Sequence, residues 1–197
     1  MKAKKKTNKE RMLDATMQLI AKAGLVSFSM KQVTEKCQVS EALVYRHFQT
    51  KENLLLQCYR RVSEEILAMF ETFKAPVLET EEECRRYLHD VWMAYVRFLM
   101  KSSYKALYYF AYRESKYYAP EADETREVPD CFENAGKFIW QNEKDGNNVK
   151  RVQAYVIDLT GMFIRYMHQN KGTNFERSAE RMWYLLWSGI LSLSEQE

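Results

Sequence analysis

Glycine and proline are scarce in this chain of 197 residues, which has six of the former and three of the latter. So few helix breakers exclude a turn-rich β architecture and favour helices. No segment alternates apolar and polar residues with the period of a strand, and we find no internal repeat. The most apolar stretches, around 91–100 and 184–193, are too short and too interrupted to span a bilayer. The sequence therefore predicts an all-α protein without a membrane span.

Residues that carry chemistry are also few. The three histidines lie far apart, at positions 47, 89 and 168, and no H-E-x-x-H, G-x-S-x-G or phosphate-binding glycine loop is present. His89 and Asp90 are neighbours on a predicted helix, so we expect their side chains to point to different faces rather than to form a dyad. These absences predict a protein with no catalytic residue that is not an enzyme.

The four cysteines, at 37, 58, 84 and 131, form no C-x-x-C pair and have no histidine at zinc spacing. We expect no metal and no cofactor, and thiols that stay reduced. The N-terminal sequence MKAKKKTNKER is not followed by a hydrophobic run, so we expect no signal peptide and a cytoplasmic location.

Charge is distributed unevenly along the chain. Residues 1–51 contain eleven Lys or Arg against four Asp or Glu, whereas the whole chain has a formal net charge of only +3. The N-terminal quarter is therefore basic and the remainder acidic. A basic face of this kind suits the phosphates of a nucleic acid, although a solvated surface that binds nothing gives the same composition.

Two short helices joined by a tight turn are predicted between residues 29 and 54. Ser29 and Ser40 are good N-caps, and Gln32 stands at the capping-box distance from the first. The apolar positions that follow the caps share one face of each helix; they are Val33, Cys37, Val39, Val44 and Phe48. Short helices held at a steep angle by a few apolar residues form a helix-turn-helix.

The chain resembles the TetR family of bacterial regulators in this region. The residues that carry the resemblance are Val33-Thr34, Cys37-Gln38-Val39-Ser40, Tyr45-Arg46-His47-Phe48 and Lys51-Glu52-Asn53-Leu54, preceded by Met12-Leu13-Asp14-Ala15 and Gly24. The resemblance covers about the first quarter of the chain. Two family glycines are replaced here, by Gln38 in the turn and by Ala42 in the second helix. A non-glycine residue in a left-handed turn costs on the order of 1 kcal/mol.

Nine surface positions are expected to touch DNA. If the second helix enters a major groove, its N-terminal end meets the base edges, where Glu41 suits a cytosine amine and Leu43 a thymine methyl. The resemblance implies phosphate contacts for Tyr45, His47, Lys51 and Lys31. Glu41 has an alternative role as a charge at a helix N-terminus, and Tyr45 and His47 as packing of the turn. The full set is Lys31, Ser40, Glu41, Ala42, Leu43, Tyr45, Arg46, His47 and Lys51.

The N-terminal region that contains the first helix and the helix-turn-helix is called the head. Beyond the head, apolar periodicity predicts helices over about 51–73, 80–101, 103–118, 122–143, 148–170 and 175–194. With the first helix and the helix-turn-helix they make about nine, the order and number of a TetR-like architecture. We expect a three-helix DNA-binding domain over residues 1–50 and a helical ligand-binding and dimerisation domain over residues 51–197.

The two terminal helices are unusually apolar, which predicts a homodimer interface. The residues expected there are Tyr155, Leu159, Met162, Phe163, Tyr166, Trp183, Leu186, Trp187 and Ile190. Aromatic residues with a few charged neighbours predict a ligand site in the same domain, unless they are solid core. The candidates are Trp92, Tyr95, Arg97, Tyr108, Tyr112, Arg113, Tyr155 and Arg165. The arginines suit an anionic ligand, whereas Glu114 and Asp158 suit a cation.

The sequence thus predicts a homodimeric regulator that binds double-stranded DNA at a palindromic operator and is released by a small-molecule effector. A repressor is the first expectation, although an activator carries the same motif. The alternative is a DNA-binding protein of the same fold without an effector, controlled by a protein partner or acting in chromosome organisation.

Overall fold

The computed structural model describes residues 6–120, 129–139 and 147–194. These residues form nine α-helices and one 3-10 helix, Asp130–Phe132, and the described part of the chain contains no strand. This confirms the all-α prediction. The α-helices are α1 Asn8–Ala23, α2 Met30–Cys37, α3 Glu41–Phe48, α4 Lys51–Phe70, α5 Glu81–Lys101, α6 Ser103–Arg113, α7 Glu133–Ile139, α8 Asn147–Gln169 and α9 Phe175–Ser194.

The chain divides into two compact units. One consists of Met1–Glu64 together with Tyr104–Thr125, and the other of Glu65–Ser103 together with Arg126–Glu197. The first unit therefore contains α1 to α3, most of α4, and α6. Its centre is mainly apolar, with side chains of 0–2% exposure from every one of its first four helices; they include Met12, Met17, Ile20, Val33, Val44, Phe48, Leu54 and Cys58.

Local signals in the sequence fix the first helix. The Thr7 hydroxyl accepts the Glu10 N–H at 3.2 Å, and the Glu10 carboxylate accepts the Thr7 N–H at 2.7 Å, which completes a capping box. Gly24, with φ of 83°, ends the helix by donating its N–H to the Ile20 carbonyl at 2.8 Å.

A reciprocal contact between α1 and α2 holds the helix-turn-helix in place. Arg11 donates through Nη2 to the Cys37 carbonyl at 2.9 Å, and the Cys37 thiol donates to the Arg11 carbonyl at 3.6 Å. The first bond satisfies a carbonyl at the C-terminus of α2 that has no partner within its own helix. Burial raises the pKa of the Cys37 thiol, so it stays protonated and keeps its role as donor.

The turn after α2 is left-handed at Gln38, whose φ and ψ are 54° and 50°. Val39 donates its N–H back to the Thr34 carbonyl at 3.1 Å, a six-residue closure that requires the left-handed residue between them. Gln38 therefore occupies a conformation that glycine adopts without cost and that other residues rarely adopt.

In the second unit, α5 packs against α7, α8 and α9, and α8 packs against α9. Trp92 of α5 is buried and donates its indole N–H to the Thr160 hydroxyl of α8 at 3.0 Å. Thr160 in turn donates to the Val156 carbonyl at 2.6 Å. This buried chain of bonds satisfies both polar groups at the centre of an aromatic core.

Some predicted helix boundaries are wrong. Helix α4 ends at Phe70 rather than near Phe73, and α6 ends at Arg113 rather than near Tyr118. The physical reason at α6 is Ser115, whose hydroxyl donates to the Tyr112 carbonyl at 2.7 Å and accepts the Tyr117 N–H at 3.2 Å, turning the chain. The helix predicted over 122–143 is described only as Asp130–Phe132 and α7, and its remaining positions lie outside the described residues.

All four cysteines are buried, and none of them forms a disulfide. In the described ranges no helix has the length and apolarity that a membrane span needs.

His89 and Asp90 do not point apart, and the prediction for this pair was wrong. The Asp90 carboxylate folds back to within 3.3 Å of His89 Nδ1, while Nε2 lies 3.1 Å from the Glu180 carboxylate of α9. The imidazole thus ties α5 to α9 at the surface of the second unit.

Replacing Gln38 with glycine should stabilise the protein. Left-handed backbone costs a non-glycine residue about 1–2 kcal/mol, and the extra freedom of glycine in the unfolded chain offsets about 0.4–1 kcal/mol of that gain. We expect Gln38→Gly to raise the free energy of unfolding by about 0.5–1 kcal/mol in urea denaturation. Gln38→Ala is the matched control and should give no gain, because alanine retains the Cβ. Equal behaviour of the two variants would show that the turn is unstrained.

Candidate DNA interface

Helix α3 divides cleanly into a buried and an exposed side. Ser40 caps it by accepting the Leu43 N–H at 3.3 Å, while Val44 and Phe48 are wholly buried on the inner side. Glu41 lies in the first turn and Arg46 and His47 in the last, so each charge is favourable to the helix dipole. The buried side chains therefore hold α3 in place, and the exposed side chains take no part in the core.

The predicted DNA contacts lie at the surface of the first unit. Lys31, Ser40, Glu41, Ala42, Tyr45 and Arg46 are exposed, and Leu43, His47 and Lys51 are half-buried. Tyr45 is an aromatic residue with 50% exposure, which is unusual for a side chain that packs a turn. The side chains of Lys31, Glu41 and Arg46 make no hydrogen bond or ion pair to any other described residue. Their role in DNA binding stays a prediction.

Lys51 has a structural partner that the sequence did not indicate. Its ammonium donates to the Phe28 carbonyl at 2.7 Å and lies 5.4 Å from the centre of the Phe28 ring. Lys51 thereby fastens the loop between α1 and α2 to the start of α4. The phosphate contact predicted for Lys51 would use the remaining N–H groups of the same ammonium.

The joint between α3 and α4 depends on residues that sequence reasoning did not select. Thr50 caps α4 by accepting the Asn53 N–H at 3.1 Å, and the Asn53 amide donates to the Phe48 carbonyl at 2.7 Å. Gln49 between the helices has a positive φ of 62°. The Thr-x-x-Asn spacing was the signal available in the sequence, since it places a cap and its partner one turn apart.

A buried acid lies behind the exposed face. Asp14 of α1 is buried and forms ion pairs with Lys6 and with Arg61 of α4, the latter at 3.3 Å. Both cations neutralise a carboxylate that burial would otherwise penalise strongly. Asp14 was known from the sequence only as part of a family motif.

The predicted ligand residues fall into both compact units. In the second unit, Trp92 and Tyr95 are buried, the latter 5.1 Å from the Phe70 ring. Arg97 is exposed and pairs with Glu176 at 2.7 Å. Tyr155 is partly exposed and Arg165 half-buried.

The other three predicted ligand residues lie on α6 in the first unit. Tyr108 is wholly buried and donates its hydroxyl to the Leu55 carbonyl of α4. Tyr112 is buried and stacks on Tyr59 of α4 with ring centres 4.8 Å apart. Arg113 is half-buried beside the same tyrosine. None of these eight residues has a tested role, and the ligand site remains a prediction.

The predicted dimer residues do not share one environment. Tyr155, Met162 and Tyr166 are exposed on one side of α8, and Leu159 is half-buried. A second group is buried in this single chain, so its side chains fill the core rather than an open surface; it consists of Phe163, Trp183, Leu186, Trp187 and Ile190. The apolar residues that α9 exposes are instead Tyr184 and Leu185, with 71% and 63% exposure.

Comparison with known proteins identifies the domain that contains the helix-turn-helix. Residues 12–58, which span the helix-turn-helix and the start of α4, match the family described as bacterial regulatory proteins, tetR family. Residues 12–58 are therefore a helix-turn-helix domain of the type found in these bacterial regulatory proteins.

Two curated relatives and one solved structure are similar to this chain. The HTH-type regulator YvkB of Bacillus subtilis, described as uncharacterized, is 26% identical over 169 residues, or 82% of this chain and 84% of the relative. The HTH-type transcriptional repressor KstR of Rhodococcus jostii is 36% identical over 61 residues, 31% of this chain and 29% of the relative. A TetR-family regulator from Marinobacter aquaeolei shares the fold with a TM-score of 0.70 at 16% identity, covering 92% and 94% of the two chains.

Removing the charge of Lys51 should make the folded protein less stable. A half-buried hydrogen bond from a charged donor contributes about 1–2 kcal/mol, so Lys51→Met should lower the free energy of unfolding by that amount. Lys31→Met is the control, because Lys31 is exposed and has no side-chain partner among the described residues. Chemical denaturation of both variants measures the difference. If both are as stable as the wild type, the Phe28 contact contributes nothing.

Proposed function

We propose that this chain is a homodimeric transcriptional repressor of the cytoplasm that binds a palindromic operator and releases it when a small-molecule effector binds. The observation that carries the DNA part is the outer side of α3, whose polar side chains are exposed on a helix with a rigidly packed inner side. Repression is supported by the similarity of a 61-residue segment of this chain to KstR, which is named a repressor.

The division of α3 suits major-groove reading. A recognition helix contacts base edges through its N-terminal residues, and here these are Glu41, Ala42 and Leu43, all at least partly exposed. The neighbouring cations Lys31 and Arg46 have no acidic partner among the described residues, so no ion pair has to break before they meet phosphates. Binding by such cations releases counterions and depends strongly on salt.

A second copy of the chain is the proposed occupant of the apolar face on α8 and α9. Met162 and Tyr166 are 58% and 51% exposed, and Tyr184 and Leu185 are exposed further still. Tyr155 lies against α9 at Gly189, where an added Cβ would be 2.8 Å from the tyrosine hydroxyl. Several exposed large apolar residues on two packed helices are typical of a subunit interface. Two heads related by a twofold axis would read two halves of a palindrome.

The effector acts, in this proposal, by shifting a conformational equilibrium. A compound that binds the chain better when it is free of DNA favours a head arrangement that does not fit successive major grooves. The shift is limited by the difference in affinity between the two states.

Selection of bound duplexes from a random pool tests the DNA proposal. We expect an enriched palindrome with the wild type, and Leu43→Ala should change the preferred base at one position in each half-site. Tyr45→Ala should weaken binding to all duplexes alike, and Lys31→Met, which removes a cation, should reduce the salt slope by about one. A selected sequence unchanged by Leu43→Ala would remove α3 from the base-reading role. Binding without any enriched sequence would favour the effector-free alternative.

Leu185→Arg tests the dimer. A charge placed in an apolar interface should weaken association by about thirtyfold or more, which corresponds to about 2 kcal/mol. Val77→Arg is the matched control, because Val77 is also an exposed apolar residue, with 84% exposure, but lies outside α8 and α9. Sedimentation across a concentration series measures both. A wild type that remains monomeric at all concentrations, or a Leu185→Arg dimer of unchanged affinity, would refute the interface.

A further inference from the structure

Arg113 at the end of α6 is a half-buried cation enclosed by tyrosines. Its guanidinium carbon lies 5.0 Å from the centre of the Tyr118 ring and 5.7 Å from that of Tyr109. Nη1 donates to the Tyr118 hydroxyl at 3.1 Å and, more weakly, to the Tyr59 hydroxyl of α4 at 3.5 Å. All four residues belong to the first compact unit.

No carboxylate of the described residues accompanies this charge. Other arginines have an acidic partner: Arg61 has Asp14, Arg85 has Glu82 and Arg97 has Glu176. Arg113 bonds only to neutral phenols, and its Nε and Nη2 make no hydrogen bond to any described residue. Nε and Nη2 together can bind the two oxygens of a carboxylate, and this pair of donors is therefore unused.

A charge that is withdrawn from water without a counter-charge is costly, and a half-buried guanidinium with free donors is a ready receptor for an anion. We propose that Arg113 binds the anionic group of the effector, and that the effector is an organic carboxylate with a flat, aromatic or unsaturated body. This inference rests on the proposed effector response. A single cation matches a monoanion, and Tyr118, which is half-buried whereas Tyr59 and Tyr109 are buried, is the ring against which a flat molecule would pack.

The structure disfavours the opposite ligand class, a cation. The ring faces of Tyr109 and Tyr118 that would attract a cation are already covered by Arg113. Glu114 and Asp158, which the sequence offered as partners for a cation, are both exposed.

Binding of an anion at Arg113 would also affect the unit that contains the helix-turn-helix. Tyr59, which accepts a bond from Arg113, stacks on Tyr109 and Tyr112 with ring centres 5.2 and 4.8 Å apart. A carboxylate bound at Nε and Nη2 draws the guanidinium toward itself and weakens the long bond from Nη1 to the Tyr59 hydroxyl. It thereby changes the contact between α6 and α4, and α4 begins three residues after α3 ends.

The test uses the full-length protein and three pairs of probes: benzoate, 2-naphthoate and sorbate, each with its neutral amide. Binding is measured by the rise in thermal midpoint and by calorimetry, because a ligand that binds the folded state raises stability by mass action. We expect at least one carboxylate to bind and its amide to bind about tenfold more weakly or not at all. Benzamidine, a flat cation, should not bind.

Variants locate the site. Arg113→Gln should weaken the bound carboxylate about tenfold or more, Arg113→Lys should recover part of the loss, and Arg85→Gln should change nothing. If the Arg113 variants do not fold, the preference of the wild type for carboxylate over amide still decides the ligand class. Binding of no carboxylate, equal binding of acid and amide, or full binding by a folded Arg113→Gln would each overturn the inference.

Release of the selected operator separates this inference from the proposed function. Release by neutral or cationic compounds only would keep the effector response and refute the anion site. Carboxylate binding that depends on Arg113 but leaves operator affinity unchanged would keep the anion site and refute the effector response at this position.

Discussion

The attachment of α6 to α4 organises the first unit of this protein. The hydroxyl of Tyr108 is wholly buried and finds its acceptor in the Leu55 carbonyl, inside α4. Burial raises the pKa of that hydroxyl well above its usual value, so it remains a donor at any physiological pH. Leaving such a group without a partner would cost about 1–3 kcal/mol, so the register of α6 along α4 is strongly fixed. Stacking of Tyr59 on two α6 tyrosines reinforces the same alignment.

This attachment places α6 beside α4, the helix that follows the helix-turn-helix. The recognition helix is held from behind by apolar side chains, and the loop between α1 and α2 is fastened by the Lys51 ammonium. The helix-turn-helix therefore has a tightly packed inner side, and its outward side chains do not contribute to the packing of the core. Arg113 is half-buried as Lys51 is, but its hydrogen bonds go to tyrosine hydroxyls instead of a backbone carbonyl.

Much of the head could be predicted because its signals are local. The caps Thr7 and Ser40, the glycine after α1 and the apolar positions of α2 and α3 lie within one or two helical turns of what they determine. The left-handed turn at Gln38 was also predictable, since the family pattern places glycine there. The end of α6 was missed because Ser115 acts through its own hydroxyl, and an aromatic run conceals that small signal.

The sequence by itself determined the all-α class, the helix-turn-helix and its outward residues, because helical periodicity and capping depend on neighbours a few positions apart. It did not determine which aromatic and charged residues meet. Only the tertiary structure grouped α6 with the helix-turn-helix in one unit. It also buried Trp183 and Trp187 while it left Tyr184 and Leu185 exposed. Finally, it paired Arg97 with a carboxylate, whereas Arg113 is bonded to tyrosine hydroxyls. The reason is physical: side-chain pairing across helices depends on register and rotation, which are set by packing between segments far apart in the chain.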